Sequence, residues 1–334
     1  MWLILAFVSA TFLGFYDASK KAALKNNAVL PVLFLNTVFS TLIFSPFLID
    51  YIGGFGWFSG TLLDTVPFHC DAEIIDSQQI TTPSSLLYTG RSIDNSLSIN
   101  DLSITLKAHL MVVFKACIVL TSWICGYFGL KHIPLTIVGP INATRPVMVL
   151  VGAMLIFGER LNLYQWAGVL LTIVSIFLMS LSSKKENIDF KRNKWIWCVA
   201  AAVTGAISGL YDKHVMSVLN PIFTQSWFNF YQMLIMTVIC AVIWYPTRAK
   251  TTPFRWNWAI PLISIFICIG DFAYLTSLND PSSMISVVSL VRRSSVIISF
   301  ACGVIIFKER NLRAKIIDLS LILLGMVLIW IGTN

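Results

Sequence analysis

Four cationic side chains lie deep inside long apolar stretches of the sequence. Arg292 and Arg293 are adjacent in the middle of one stretch, Arg145 precedes Pro146 in a second, and Lys115 lies inside a third. Arginine presents its N–H donors in a planar fork that matches a carboxylate or a phosphate. Cations at such depth in a membrane face the protein interior or a watery cavity, because lipid solvates them poorly. These four residues are therefore candidate substrate-binding residues for an anion.

Carboxylates inside the same apolar stretches supply the opposite charge. The candidates for proton coupling or gating are Asp17, Asp212 and Asp271, with the tyrosines that precede the first two, Tyr16 and Tyr211. Each carboxylate either neutralises a cation or takes up a proton. Asp17 and Asp271 are available partners for Lys115, and Asp271 is also available to one of the two adjacent arginines. Because four cations face three carboxylates, we expect a net positive cavity.

The stretches that carry these residues repeat along the chain. Gly-Phe-Tyr-Asp at 14–17 returns as Gly-Leu-Tyr-Asp at 209–212, and Phe-Gly-Glu-Arg at 157–160 returns as Phe-Lys-Glu-Arg at 307–310. Such self-similarity on apolar segments is typical of transporters built from two repeats. The glutamates of the second pair, Glu159 and Glu309, stand just before a new helix, so we expect them to cap that helix rather than bind substrate.

The elements that position the charges are membrane-spanning helices. The chain is 57% hydrophobic and 12% charged, far from the composition of a soluble domain. An apolar segment of about 20 residues crosses the hydrocarbon core as a helix, because lipid cannot satisfy free backbone groups. Ten such segments are predicted, near 2–22, 29–51, 108–129, 134–157, 162–181, 195–216, 222–245, 258–278, 283–307 and 313–333.

These segments divide the chain into two halves of five helices each. We predict a first half over 1–182, a basic linker over 183–194 and a second half over 195–334. Residues 54–106 are polar, rich in turn residues and acidic, and they account for the extra length of the first half. We interpret them as an inserted loop with little bearing on the mechanism, or alternatively as a lid.

Other classes of site find little support in the sequence. Six of the seven cysteines lie in predicted spans, and the four histidines show no metal-ligand spacing, so we expect no metal and no cofactor. No nucleophile or metalloprotease motif occurs, and we expect no enzyme. The net charge of +8 comes from short loops beside the spans, which is typical of membrane orientation rather than of nucleic-acid binding.

Each half ends in an apolar helix, a Gly-Glu-Arg-like turn and a last helix that contains glycine. This arrangement resembles the EamA-type branch of the drug/metabolite transporter superfamily. The turns are Phe157–Arg160 and Phe307–Arg310, and the glycines are Gly168 and Gly325. The resemblance covers nearly the whole chain apart from 54–106. It implies an all-α fold of ten transmembrane helices as two inverted five-helix repeats, with a cavity lined mainly by the first, third, fourth, sixth, eighth and ninth helices.

The leading hypothesis is a secondary transporter of a small anionic metabolite, organic or phosphorylated, that works by alternating access. Arg292-Arg293 resembles a Lys-Arg pair on the ninth helix of the phosphate-translocating branch. The expected partners are the small-molecule substrate, the lipid bilayer, and a coupling proton or an exchanged anion, with no nucleic acid and an undetermined oligomeric state. The alternatives are an exporter of neutral or zwitterionic amino acids or drugs, and a non-transporting membrane scaffold.

Orientation and location are further expectations. Most lysines and arginines follow the odd-numbered spans, and the positive-inside rule then places both termini and the loop 54–106 outside the cytoplasm. The family resemblance implies cytoplasmic termini instead, so both orientations stay open. We expect a multi-pass protein of a bacterial inner (plasma) membrane.

Overall fold

A computed structural model describes residues 1–24, 27–58, 99–132, 145–182, 195–248 and 253–295, with individual positions between 298 and 332. All secondary structure among the described residues is helical. The nine long elements are α1 (Trp2–Leu24), α2 (Val29–Gly53), α3 (Ile99–His132), α4 (Arg145–Ile156), α5 (Leu163–Ser182), α6 (Trp195–Met216), α7 (Pro221–Ile239), α8 (Ala259–Asn279) and α9 (Ile285–Arg293). They correspond in order to the first nine predicted spans.

Five of the described helices are long and apolar enough to cross a membrane. Their apolar windows lie in Trp2–Lys20, Val29–Gly53, Thr105–Gly126, Pro221–Thr247 and Ala259–Asn279. The fourth range continues α7 through a π-helical turn over Cys240–Trp244 and a last helical turn over Tyr245–Thr247. Helix α4 is a shorter apolar helix of 12 residues. Helix α9 is nine residues long, and residues 296–297 and 299–307 of the ninth predicted span lie outside the described residues.

The inserted loop is shorter at its end than the sequence predicts. Helix α3 begins at Ile99, so residues 99–106 are helical rather than part of a loop over 54–106. Residues 59–98 lie outside the described part of the chain, and the interpretation of the insertion as a loop or a lid stays a prediction.

Helix starts follow local chemistry. Asn220 precedes α7, and its side-chain oxygen accepts a hydrogen bond from the Ile222 N–H at 2.9 Å, while Pro221 occupies the first helical position. Asn162 and Gln165 form a reciprocal capping box at α5, in which each side chain accepts from the other residue's N–H, at 2.9 and 3.0 Å. The Asn162 side chain also donates to the Gly332 carbonyl at 2.6 Å.

Several helices pack mainly against helices of the other half. Helix α1 lies against α8 and α9, and its counterpart α6 lies against α3 and α4; α2 packs on α7. The main buried core joins residues of both halves, including Val112, Val149, Phe223 and Val288. Helices of the first half are thus stabilised chiefly by helices of the second, and the charged residues meet where these helices cross.

The repeated glycines differ in their surroundings. At Gly14 an added Cβ would lie 2.8 Å from the Ser295 carbonyl oxygen, so α1 and α9 approach too closely for a side chain. At Gly209 the nearest atom would be a Val149 methyl at 3.8 Å, an ordinary contact. The glycine is therefore sterically required in the first copy of the motif and not in the second.

Candidate functional site

Lys115 on α3 and Asp212 on α6 form a buried ion pair. The side chains are 5% and 9% exposed, and the ammonium also lies 4.8 Å from the centre of the Phe228 ring on α7. The sequence offered Asp17 and Asp271 as partners for Lys115, and this expectation is wrong. Because α3 packs along α6 rather than beside α1 or α8, Asp212 is the carboxylate that reaches it.

Arg292 on α9 forms a second ion pair, with Asp271 on α8. The sequence named Asp271 as an available partner for one of the two adjacent arginines, and Arg292 is the one that it binds. The Arg292 guanidinium carbon also lies 4.1 Å from the centre of the Tyr274 ring, a cation–π contact. The pair is less buried than the first one, with side chains 22% and 19% exposed.

Arg145, the first residue of α4, has a neutral partner. Its guanidinium donates to the Gly205 carbonyl on α6 at 2.8 Å. The charges that act most strongly on it include those of Arg293, Arg292 and Asp212. Within the described residues Arg145 thus ends at a backbone oxygen rather than at a carboxylate, in a region that contains two further guanidinium groups.

Arg293 points to a different side of α9 from Arg292, as adjacent residues on a helix do. Arg292, Asp17 and Tyr274 all act on its charge. Asp17 lies on an exposed part of α1, in contrast to the buried Asp212 at the matching position of the second half. The two copies of the Gly-x-Tyr-Asp motif therefore place their carboxylates in different environments.

Tyr274 is the residue that sequence reasoning missed. It is buried on α8, three residues after Asp271, and the charges of Asp212, Arg292, Arg145 and Asp271 all act on it. Its hydroxyl would lie 3.9 Å from a Cβ built at Gly209. The signal was its position one turn from Asp271, on the same face of α8.

The two predicted tyrosines pack between helices beside this cluster, and the charge of Asp271 acts on Tyr16. Tyr16 is buried in a smaller apolar core with Ala23, Val32 and Ile260, and Lys20 lies 5.5 Å from its ring centre. The Tyr211 hydroxyl donates to the Met111 carbonyl on α3 at 3.2 Å, and its ring packs against Phe114. The structure therefore brings together the four cations, Asp212 and Asp271, and leaves both tyrosines in helix–helix contacts.

Glu159 does cap a helix, but not the next one. Its carboxylate accepts from the Ile285 and Ser286 N–H groups at the start of α9, at 2.6 and 3.2 Å, and from the Ser286 hydroxyl. The following helix, α5, is capped by Asn162 instead. Expecting Glu159 to cap α5 was wrong because the α4–α5 turn folds back onto the second half. Glu309 lies outside the described residues.

The sequence matches the model of the EamA-like transporter family over residues 85–181 and 193–331. The chain belongs to the EamA-like transporter family. It is a multi-pass integral membrane protein and a transporter of the drug/metabolite type. The EamA match begins at residue 85, so it leaves out α1 and α2 and includes the end of the insertion, whereas the resemblance was expected over nearly everything except 54–106.

Solved structures with a similar fold are known. A solved structure described as "Crystal structure of protein" superposes with a TM-score of 0.62 and 12% sequence identity, over 97% of this chain and 94% of that chain. At this identity the similarity concerns the fold alone. No curated protein matches the chain in sequence.

The contact between Arg145 and Gly205 gives a prediction about packing. A methyl group at position 205 would overlap the Arg145 guanidinium, so we expect Gly205→Ala to displace it and to lower the free energy of unfolding by about 1–3 kcal/mol. The measurement is the melting temperature of the purified protein. Gly126→Ala is the matched control, because its Cβ would meet only Ala201, at 3.6 Å. Equal melting temperatures for the two variants would contradict the described contact.

Proposed function

We propose that this EamA-family chain is a secondary transporter of a small anionic metabolite in a bacterial inner membrane. We further propose that it works by alternating access, with ten helices arranged as two inverted five-helix repeats over 1–182 and 195–334. The repeat is supported by the packing of helices of one half on helices of the other: α1 packs on α8 and α9, and α6 packs on α3 and α4. Two halves related by a pseudo-two-fold axis would pair in this way.

The proposal that the substrate is an anion rests on the neutral partner of Arg145. Two of the four deep cations, Lys115 and Arg292, have carboxylate partners. Arg145 has the Gly205 carbonyl instead. One carbonyl oxygen satisfies only part of a guanidinium, which has five N–H donors, and a substrate carboxylate or phosphate would supply acceptors for the others. We therefore assign anion contact to Arg145 and Arg293, and charge compensation inside the protein to Lys115 and Arg292.

The proposed energy source is a proton or a second anion in exchange. Asp212 and Asp271 accept hydrogen bonds from cations, and a proton on either would break its ion pair. Asp17 is more exposed and acts on the charge of Arg293. Proton uptake at Asp17 would therefore alter the field at the proposed anion site at a lower cost in stability than uptake at Asp212 or Asp271.

A thermal-shift screen tests whether the substrate is an anion. Purified protein is heated with a panel of organic and phosphorylated anions, and with the matching amides, esters or alcohols as neutral controls. An anion present at about 100 times its dissociation constant should add about 2.7 kcal/mol to the apparent stability. We expect stabilisation by at least one anion and not by its neutral analogue. Stabilisation by neutral or zwitterionic compounds alone would contradict the proposal.

The second candidate function, export of a neutral or zwitterionic solute, has one observation in its favour. Lys115 and Arg292 are already neutralised within the protein, as expected if the charges are present to pair with one another. This candidate predicts that substrate binding is insensitive to the charge of Arg145, because the substrate would then carry no net charge for that residue to meet.

A further inference from the structure

The connection between α8 and α9 is held by two charged side chains from other elements. Glu159, in the turn between α4 and α5, accepts from the first N–H groups of α9 and from the Ser286 hydroxyl. Gly158, with φ of +65°, turns the backbone so that the next residue reaches α9. These are charge-assisted hydrogen bonds between the first half and the second, about twice as strong as neutral ones.

Lys213 on α6 holds the other side of the same connection. Its ammonium donates to the Ser283 hydroxyl and carbonyl at 2.6 and 2.8 Å, and to the Leu278 and Asp280 carbonyls at 3.2 and 3.4 Å. The Ser282 hydroxyl donates to the Asp280 carboxylate at 2.6 Å, which lowers the pKa of that carboxyl and keeps it charged near Lys213. Lys213 thus satisfies the end of α8, and Glu159 satisfies the start of α9.

We define the clamp as Glu159 and Lys213 with residues 278–286 between them. The clamp is connected to both ion pairs. Arg292 stands six residues after Ser286 on α9, about 9 Å along the helix axis. Lys213 directly follows Asp212, the partner of Lys115. Any shift of the α4–α5 turn relative to α9 would therefore move the arginines, and any rotation of α6 would act on the clamp and the buried ion pair together.

We propose that the clamp is a gate that closes this end of the transport pathway and releases when the protein changes its access. Glu159 is then a positioning residue, which sets α9 and its arginines without touching substrate. The inference rests on the proposed alternating access and not on the nature of the substrate. A contact made of a few charge-assisted hydrogen bonds between the halves can be exchanged for hydration at modest cost, unlike the apolar core that they share.

A sequence relation supports a role connected with the repeat. The offset of 150 residues that relates Glu159 to Glu309 also relates Ser286 to Thr136, so the combination of a carboxylate and a hydroxyl occurs in both halves. Thr136 and Glu309 lie outside the described residues.

The test measures the distance between the two sides of the clamp and requires no substrate. Spin labels are placed on cysteines introduced at Leu163 and Pro281, both exposed, with the native cysteines replaced. Double electron–electron resonance in lipid nanodiscs then gives the populations of shorter and longer distances. We expect Glu159→Gln to increase the ratio of longer to shorter distances by about ten- to a hundredfold, the factor for loss of a charge-assisted contact.

Matched variants separate a gate from a static cap. Arg160→Gln removes the neighbouring charge and should leave the distances unchanged, and Ser286→Ala should give a smaller shift than Glu159→Gln. If Glu159→Gln does not fold, Ser286→Ala and Lys213→Gln carry the test. A folded variant with a lower melting temperature and an unchanged distance distribution would overturn the gate and leave a structural cap. That result would not affect the anion proposal, which the thermal-shift screen decides separately.

Discussion

Asp212→Asn is expected to lower the free energy of unfolding by about 3–5 kcal/mol, because it leaves the Lys115 ammonium buried without its counter-charge. Both side chains of this pair are almost fully covered, so water cannot replace the lost carboxylate. The remaining contact of the ammonium, with the Phe228 ring, compensates only in part. The measurement is unfolding of the purified protein in detergent, followed by tryptophan fluorescence.

Two further variants separate charge pairing from other effects. Asp271→Asn should cost less, because Arg292 is partly exposed and keeps its contact with Tyr274. The double variant Lys115→Met with Asp212→Leu should recover most of the loss, since a buried ion pair replaced by apolar residues of similar size is often neutral. Equal stability of Asp212→Asn and the wild type would show that the Lys115 pair is not formed as described.

Arg145→Gln is expected to weaken anion binding by about ten- to a hundredfold, the loss of one charge-assisted hydrogen bond of about 1.5–3 kcal/mol. Stability should stay near that of the wild type, because the partner left behind is the Gly205 carbonyl and not a buried carboxylate. Titration of the stabilising anion into both proteins, with melting temperature recorded on the same samples, gives both quantities.

Arg292→Gln is the control with the opposite signature. It strands Asp271 and should reduce stability more than Arg145→Gln does, although the residue lies in the same cluster. Arg293→Gln should resemble Arg145→Gln, since we assign both to anion contact. If Arg145→Gln destabilises the protein and leaves anion affinity unchanged, Arg145 is a structural residue and the site assignment is wrong.

The positions of the helices along the chain were largely predictable from the sequence, and the contacts between helices were not. Apolar segments of sufficient length predict where helices lie because lipid leaves the backbone no alternative. The period of a helix shows which residues share its face but not which helix packs there. For that reason Lys115 could be recognised as a deep cation, whereas its partner Asp212 depended on the contact between α3 and α6.

A local sequence motif gave a wrong assignment where the chain folds back onto the other half. Glu159 stands before α5 in sequence, so a local reading assigns it to α5; in the structure it reaches α9, 126 residues away. Tyr274 carries no signal of its own, because a tyrosine in an apolar helix is ordinary core material. Helical spacing places it one turn from Asp271, but its proximity to Arg145, Arg292 and Asp212 depends on how the helices pack.

Uptake into proteoliposomes tests the central claim most directly. Vesicles that contain wild-type protein or Arg145→Gln are given the anion identified by thermal shift, and its neutral analogue, each in radiolabelled form. We predict saturable uptake of the anion and not of the analogue by the wild type, with the half-saturating concentration raised about ten- to a hundredfold in Arg145→Gln. Equal uptake of the anion by both proteins, or uptake of the neutral analogue alone, would contradict an anion transporter built around Arg145.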